Sequence, residues 1–333
     1  MSRLRYVIKL LVAVLTAVGR QVFHRLSRGP LVASWSWSVE LRMVALRAFL
    51  VASASGGDRT DRRALEAGLD PPLPRSLRHV MTFEPATVGG IPGEWIRRNH
   101  ARQHDPTILY LHGGAYLAGS PATYRRFVAR LTWVTRATTF VPEYRLAPQH
   151  KFPAAVDDAE AAYLGLLETG TDQKRLIVAG DSAGGGLAGA LLQRLRNGGH
   201  PQPAGAVLFS PYTDLEHTAA SIHKNGATDY LPMGPAMANI FYLGDSDPRH
   251  PEASPMYGDY SGVAPMLIFA GGKEMILDDS HRLFDKAKAD GADVTLRIED
   301  DMFHVWPALL PNHQATRRTM SSVAEFVATK TGG

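Results

Sequence analysis

The 333-residue sequence has no cysteine, which excludes disulfide bonds, thiolate metal sites and a cysteine nucleophile. It also lacks internal repeats and low-complexity segments. A strongly basic body is absent too, because residues 51–333 carry 28 basic and 31 acidic side chains, so we expect no nucleic-acid partner. The composition that remains indicates a globular protein with one large or two small domains. A cysteine-free chain suits a reducing compartment, and we expect a cytoplasmic location.

Positive charge is concentrated at the N-terminus, where residues 1–50 hold eight Arg or Lys and the single acid Glu40. The longest apolar run there, Leu10–Gly19, is ended by Arg20, short of the roughly 20 residues that cross a membrane. Three interpretations remain: helices that cap the main domain, a basic amphipathic arm on a membrane surface, and a cleaved signal of an exported form. We expect the cap, and contact with a membrane surface through residues 1–50 is compatible with it.

From residue 77 onward, short apolar strands alternate with helical patterns. We therefore predict an N-terminal helical arm over residues 1–76, with a helix at Val39–Ala52 and a linker at 53–76, followed by an α/β domain over residues 77–333. The pattern predicts a mostly parallel sheet covered by helices on both faces. The predicted strands are His79–Val88, Ile91–Arg98, Thr107–Leu111, Thr138–Val141, Arg175–Ala179, Ala206–Phe209, Met266–Ala270 and Val294–Ile298.

A Gly-Asp-Ser-Ala-Gly segment, Gly180–Gly184, follows a predicted strand and precedes a helix of small residues. This is the context of a nucleophile elbow, in which a sharp turn exposes the hydroxyl of Ser182 above the sheet. A dinucleotide-binding loop over Gly184–Gly189 is disfavoured, because the turn comes earlier and the next strand ends without an acid. We therefore expect Ser182 to be a nucleophile and expect no cofactor.

A second glycine motif, His112-Gly113-Gly114, follows the strand Thr107–Leu111 directly. Acyl transfer passes through a negatively charged oxygen, which preorganised backbone N–H groups stabilise. We expect Gly113 and Gly114, together with Ala183, to supply these N–H groups. His112 is expected to shape the loop and not to transfer a proton.

The base and the acid are predicted from chain order, which in this type of fold is Ser, acid, His. His304 lies in a loop after the last predicted strand and is the candidate base. Glu274 follows the strand Met266–Ala270 and is the favoured acid, with Asp278 or Asp279 as the alternative. We expect no metal site, since the sequence has no His-Glu-x-x-His motif and no tight cluster of ligand residues.

These motifs, together with the segments Tyr144–His150 and Phe152–Asp158, resemble the hormone-sensitive-lipase-like family of α/β-hydrolase esterases. Two positions depart from the family pattern: Ala115 stands where a third glycine is common, and Glu274 where an Asp is usual. By analogy, Tyr116 and Tyr212 flank the substrate site, and the N-terminal arm resembles in position a helical cap over it.

The resemblance implies a serine carboxylesterase that hydrolyses short- to medium-chain esters through an acyl-enzyme. A lactone or acetyl-ester hydrolase of the same fold is the main alternative. A ligand-binding relative without catalysis is a further one, which the presence of His304 disfavours. The oligomeric state stays open at this stage.

Overall fold

A computed structural model describes residues 3–54, 73–102, 104–231 and 239–332. The helices are α1 Arg3–Arg28, α2 Trp37–Ala54, α3 Arg75–Arg78, α4 Pro121–Thr135, α5 Ala154–Glu168, α6 Ala183–Asn197, α7 Ser221–Lys224, α8 Leu277–Ala289, α9 Trp306–Leu309 and α10 Gln314–Thr331. The strands are β1 Met81–Val88, β2 Ile91–Arg98, β3 Thr107–Leu111, β4 Thr138–Pro142, β5 Leu176–Asp181, β6 Gly205–Phe209, β7 Met266–Gly271 and β8 Val294–Glu299.

The described strands form one sheet in the order β1-β2-β4-β3-β5-β6-β7-β8. β1 and β2 form an antiparallel hairpin at one edge, β2 pairs antiparallel with β4, and every other pair is parallel. The parallel part brings the carboxyl ends of β3, β5, β7 and β8 to the same edge, where loops can carry a shared site. The predicted α/β-hydrolase architecture, with a mostly parallel sheet, is confirmed.

The hydrophobic core lies on both faces of the sheet, because alternate strand residues point to opposite sides. In β3, Leu109 and Leu111 face the layer formed by α5, α6 and α8, whereas Ile108 and Tyr110 face α4 and α10. The second layer also contains residues of the N-terminal arm between Val32 and Met43. The arm is thus part of the folded core.

The arm begins with one continuous helix, because α1 runs past Arg20 and ends at Arg28. Its inner face packs on α2, with Gln21 and Arg25 binding the buried carboxylate of Glu40. Within the described residues, the stretch 5–28 is long and apolar enough to cross a membrane, by length and composition alone. The expectation that Arg20 ends the apolar stretch too early is therefore wrong.

Three hydrogen bonds between described residues attach the arm to loops of the α/β domain, and the Ser34 hydroxyl donates the first of them to the carboxylate of Asp301 at 2.7 Å. The indole N–H of Trp35 donates to the carbonyl of Asp301, and the Arg47 guanidinium donates to the carbonyl of Gly226 at 2.6 Å. The predicted linker 53–76 lies largely in residues 55–72, which are outside the described residues. The proposed boundary between residues 1–76 and 77–333 remains a prediction.

Candidate active site

Ser182 occupies the tight turn between β5 and α6, with φ +52° and ψ −121°. Such a conformation is unfavourable for a residue with a side chain, so the surrounding packing must maintain it. The flanking glycines make the turn possible: a Cβ on Gly180 would lie 2.3 Å from the carbonyl oxygen of Gly184. A Cβ on Gly184 would lie 2.0 Å from the carbonyl oxygen of Leu111. Neither position leaves room for a larger residue.

Three side chains from the ends of different strands meet at this turn. His304, which follows β8, places its Nε2 2.9 Å from the Oγ of Ser182. Glu274, which follows β7, places its Oε2 3.3 Å from the Nδ1 of His304. Both His304 and Glu274 are buried. The structure thus brings together the predicted nucleophile, base and acid in one hydrogen-bonded row.

The alternative acids have other partners. Asp278 lies in the first turn of α8 and accepts the backbone N–H of Ser221 at 2.9 Å. Asp279 is buried and accepts the N–H groups of Thr213 and Asp214 at 2.8 and 2.9 Å. Burial raises the pKa of Asp279 to about 8, while those two N–H groups act in the opposite direction. The geometry therefore favours Glu274 over Asp278.

The charge state of His304 reflects two opposing effects. Burial lowers the pKa of the imidazole, but the hydrogen bond and negative charge of Glu274 raise it, with smaller contributions from Asp229 and Asp181. The net effect is a pKa above the ordinary value for histidine. The site consequently stabilises the protonated imidazole, which is the species a general base becomes when it takes a proton.

Asp229 is a buried carboxylate beside this row that the sequence analysis did not identify. It accepts the N–H of Met275 at 2.6 Å and the N–H of Tyr230 at 2.7 Å. The backbone N–H of His304 also donates to Asp229, over a longer distance of 3.4 Å between the nitrogen and Oδ1. Burial raises the pKa of Asp229 to about 6, against the opposing influence of His304. No motif or spacing in the sequence marks this residue.

The glycine loop after β3 is attached to the nucleophile elbow by Asp181. This buried carboxylate accepts the N–H of Gly113 at 2.9 Å and the hydroxyls of Tyr110 and Tyr124 at 2.7 and 2.9 Å. Burial raises the pKa of Asp181, and these three donors partly offset that effect. Because the N–H of Gly113 is already bonded, the expectation that Gly113 binds the reaction oxyanion is corrected: Gly113 anchors the loop.

Gly114 and Ala183 are the other two predicted oxyanion donors. No acceptor among the described residues occupies the backbone N–H of either one. Ala183 opens α6, and the first N–H groups of a helix have no acceptor within it. Gly114 has φ +123°, a backbone conformation that glycine adopts readily. Ala115, where the family often has a third glycine, also lies in the left-handed region at φ +55°.

His112 supports the same glycine loop through its ring. Its Nδ1 lies 2.8 Å from the carbonyl oxygen of Gly113, and its ring stacks on Tyr144 with 4.3 Å between centroids. The Tyr144 hydroxyl donates to the carbonyl of His112 at 2.6 Å. Burial lowers the pKa of His112 to about 4, so the ring is neutral at pH 7. Among the described hydrogen bonds none joins His112 to Ser182 or His304, which suits a supporting role.

The two predicted substrate-binding tyrosines both adjoin the first turn of α6. The backbone N–H of Tyr212 donates to the carbonyl of Ser182 at 2.9 Å. The Tyr116 hydroxyl lies near Gly186, where an added Cβ would be 3.3 Å from it. Tyr116 also stacks on Tyr242 with 3.8 Å between centroids, a partner that the sequence analysis missed. Tyr116, Tyr212 and Tyr242 are all buried, so they form part of the aromatic core beside the elbow.

A cavity of about 440 Å³ lies on the other side of the elbow. Its lining includes Asp181 and Val305, the neighbours of Ser182 and His304, and also Tyr230. Arg42 of α2 contributes to the same wall. The N-terminal arm therefore reaches the immediate surroundings of the candidate site. Among the described residues there is no group of His, Asp or Glu side chains that could hold a metal ion.

A strand–serine–helix elbow on a mostly parallel sheet, with histidine and acid from later loops, defines the α/β-hydrolase class. A family model described as alpha/beta hydrolase fold matches residues 108–308. The chain is 43% identical to an acetyl-hydrolase of Streptomyces hygroscopicus over 248 residues, which cover 74% of this chain and 82% of the relative. The chain therefore belongs to the α/β-hydrolase family, within its hormone-sensitive-lipase-like branch of bacterial esterases.

Solved structures agree with that assignment. An esterase of the bacterial hormone-sensitive lipase family is 36% identical, with a TM-score of 0.78, covering 87% of this chain and 98% of the other. The esterase EstE5, solved from a crystal soaked with p-nitrophenyl butyrate, is 36% identical with a TM-score of 0.78. The match covers 88% of this chain and 99% of the EstE5 chain. The protein is a carboxylic ester hydrolase.

Proposed function

We propose that the protein hydrolyses short- to medium-chain carboxylic esters through an acyl-enzyme formed on Ser182. The observation that carries this proposal is the row of contacts from Ser182 Oγ to His304 Nε2 at 2.9 Å and from His304 Nδ1 to Glu274 Oε2 at 3.3 Å. In this proposal Ser182 is the nucleophile, His304 the general base and Glu274 the acid that orients the imidazole.

The geometry supports a two-stage reaction. Ser182 Oγ attacks the ester carbonyl while its proton passes to Nε2 of His304, and Glu274 stabilises the resulting imidazolium. The tetrahedral intermediate collapses, and the alcohol departs with the proton from His304. A water molecule then attacks the acyl-enzyme by the same route, releases the carboxylic acid and restores the Ser182 hydroxyl.

We assign stabilisation of the tetrahedral oxyanion to the N–H groups of Gly114 and Ala183. Each such donor is worth roughly 3–4 kcal/mol in the transition state. Gly113 and Asp181 act indirectly, because their hydrogen bond attaches the glycine loop to the elbow. His112 and Tyr144 support the same loop through the hydrogen bond and the ring stack that join them.

The buried rings of Tyr116, Tyr212 and Tyr242 beside the elbow favour an apolar acyl group. The name of the acetyl-hydrolase relative favours acetyl esters as a second candidate within the same chemistry. The butyrate ester used with EstE5 supports the short end of the range.

A series of p-nitrophenyl esters with two to twelve acyl carbons tests this function. We expect kcat/KM to be highest for the shorter esters and to fall towards the longest, because the closely packed aromatic side chains beside the elbow leave little room for a long acyl chain. A serine-reactive phosphonate is expected to modify Ser182 with loss of activity, as mass spectrometry would show. Turnover of the acetyl ester alone would favour the second candidate. Failure to turn over any member of the series would contradict both.

We also propose that α1 binds the surface of an anionic membrane. Large apolar side chains recur along its exposed side at helical spacing; Leu15 is 69% exposed and Phe23 74% exposed, and Ile8, Leu11, Val12 and Leu26 share that side. The neighbouring side chains Arg5, Lys9 and Arg20 supply positive charge. Because the inner face of α1 is packed on α2, we expect the helix to lie in the surface and not to cross the bilayer. The cytoplasmic location stays a prediction.

Flotation with lipid vesicles checks this contact. We expect the wild type to float with vesicles that contain phosphatidylglycerol, less with phosphatidylcholine alone, and less at high salt because screening weakens the attraction. Leu15→Glu is expected to remain in the soluble fraction. Trp133→Glu, which places the same charge at an exposed apolar residue of α4, is the matched control and should float. Equal flotation of Leu15→Glu, or membrane pellets that resist alkaline carbonate, would contradict surface binding.

A further inference from the structure

A ten-residue segment, Ser221–Tyr230, crosses the loop that carries Glu274; we call it the acid-loop strap. The strap donates side-chain hydrogen bonds to backbone carbonyls of three consecutive residues of that loop. Thr228 Oγ1 donates to Lys273 at 3.1 Å, Asn225 Nδ2 to Glu274 at 2.9 Å, and Ser221 Oγ to Met275 at 2.7 Å. The backbone around the catalytic acid is therefore held from one side by the strap.

Asp229 is the strap residue that contacts the backbones of two loops, the one that carries Glu274 and the one that carries His304. Its Oδ2 accepts the N–H of Met275, the residue after Glu274, at 2.6 Å. Its Oδ1 lies 3.4 Å from the backbone nitrogen of His304, which donates towards it. One buried carboxylate thus contacts the backbones of two loops that come from different strands.

We propose that Asp229 is a positioning residue, which holds Glu274 and His304 in register and stabilises the protonated state of His304 that forms during the reaction. It does not touch the substrate in this proposal, and it acts through the two loops it joins. The inference rests on the roles proposed above for Ser182, His304 and Glu274.

Electrostatics support this role. The titratable groups around the imidazole are Glu274, Asp229, Asp181 and the ring of Tyr230, whose centroid is 5.8 Å from that of His304. Burial lowers the pKa of His304, and Glu274 raises it. The negative charge of Asp229 raises it further, by a smaller amount than Glu274 does. With its own pKa raised to about 6 by burial, Asp229 is mainly ionised at pH 7 and above.

The test compares Asp229→Asn and Asp229→Ala with the wild type on p-nitrophenyl butyrate between pH 5 and 9. Rates are expressed per active site titrated with a serine-reactive phosphonate. Asparagine keeps one oxygen acceptor but removes the charge, whereas alanine removes both. Glu94→Gln is the matched control, because Glu94 is another buried carboxylate, which lies in β2 and pairs with Arg125 of α4.

We expect Asp229→Asn to lower kcat by about tenfold and Asp229→Ala by about a hundredfold, with KM changed less than about twofold, because misplaced groups act on the chemical step. Removal of the negative charge lowers the pKa of His304, so the acid limb of kcat/KM is expected to move down by about half a pH unit in both variants. Glu94→Gln is expected to leave the kinetic constants and the acid limb unchanged.

A purely structural role would lower the thermal midpoint and the number of titratable sites without moving the acid limb, and that result would overturn the proposal. An unchanged kcat per site in Asp229→Asn would overturn it as well, even if the alanine variant fails to fold. The proposed function fails separately: in that case the wild type itself would neither react with the phosphonate at Ser182 nor turn over the ester.

Discussion

Replacing Ser182 with alanine is expected to lower kcat on the order of 10⁶-fold. Alanine removes the attacking oxygen, and no other hydroxyl is seen to contact Nε2 of His304 among the described residues. The residual rate then depends on binding and on the oxyanion donors alone. Steady-state hydrolysis of p-nitrophenyl butyrate measures the loss.

The Ser182→Ala protein should remain folded. Alanine retains the Cβ of serine, and the serine side chain makes no hydrogen bond that caps α6. We expect the thermal midpoint of the variant to stay close to that of the wild type. Activity within about a hundredfold of the wild type in a homogeneous sample would show that a different nucleophile is in use.

Replacing Glu274 with glutamine is expected to lower kcat by about 10⁴-fold. A neutral amide cannot stabilise the imidazolium, and its N–H₂ group can face Nδ1 and impose the wrong tautomer on His304. The charge of Glu274 also raises the pKa of His304, so any residual activity should have its acid limb at lower pH. The pH dependence of kcat/KM and the value of kcat measure both effects.

Asp278→Asn is the matched control for Glu274→Gln. Asp278 accepts the backbone N–H of Ser221, a bond that the amide oxygen of asparagine can keep, and no described hydrogen bond joins it to His304. The same change of acid to amide should therefore alter kcat by less than about threefold. If the Asp278 variant lost most of its activity and the Glu274 variant kept it, the assignment of the acid would be reversed.

The sequence predicts the sheet and the elbow well because their signals are local. The strand Thr107–Leu111 has the predicted bounds, since its five residues are a short run that ends at the glycine loop. Ser182 and His304 are placed by motif and chain order. The resemblance of the loop after β7 to the family segment indicates Glu274.

Other features depend on contacts between segments that are distant in the chain. The occupied N–H of Gly113 follows from Asp181, 68 residues away, and a glycine motif does not reveal which of its N–H groups is free. Asp229 precedes Met275 by 46 residues and has no periodic pattern around it. Arg20 does not end α1, because it lies on the exposed side of the helix, where a charge does not interrupt it.

Trp35 gives the protein a built-in optical signal. This arm residue is only 2% exposed, and its ring meets the edge of Phe303, the neighbour of His304, with 5.7 Å between centroids. Detachment of the arm would transfer this indole from an apolar contact to water and shift its fluorescence to longer wavelength. Because the chain has five tryptophans, the difference in emission between the wild type and Trp35→Phe follows how firmly the arm sits on the loop that carries His304.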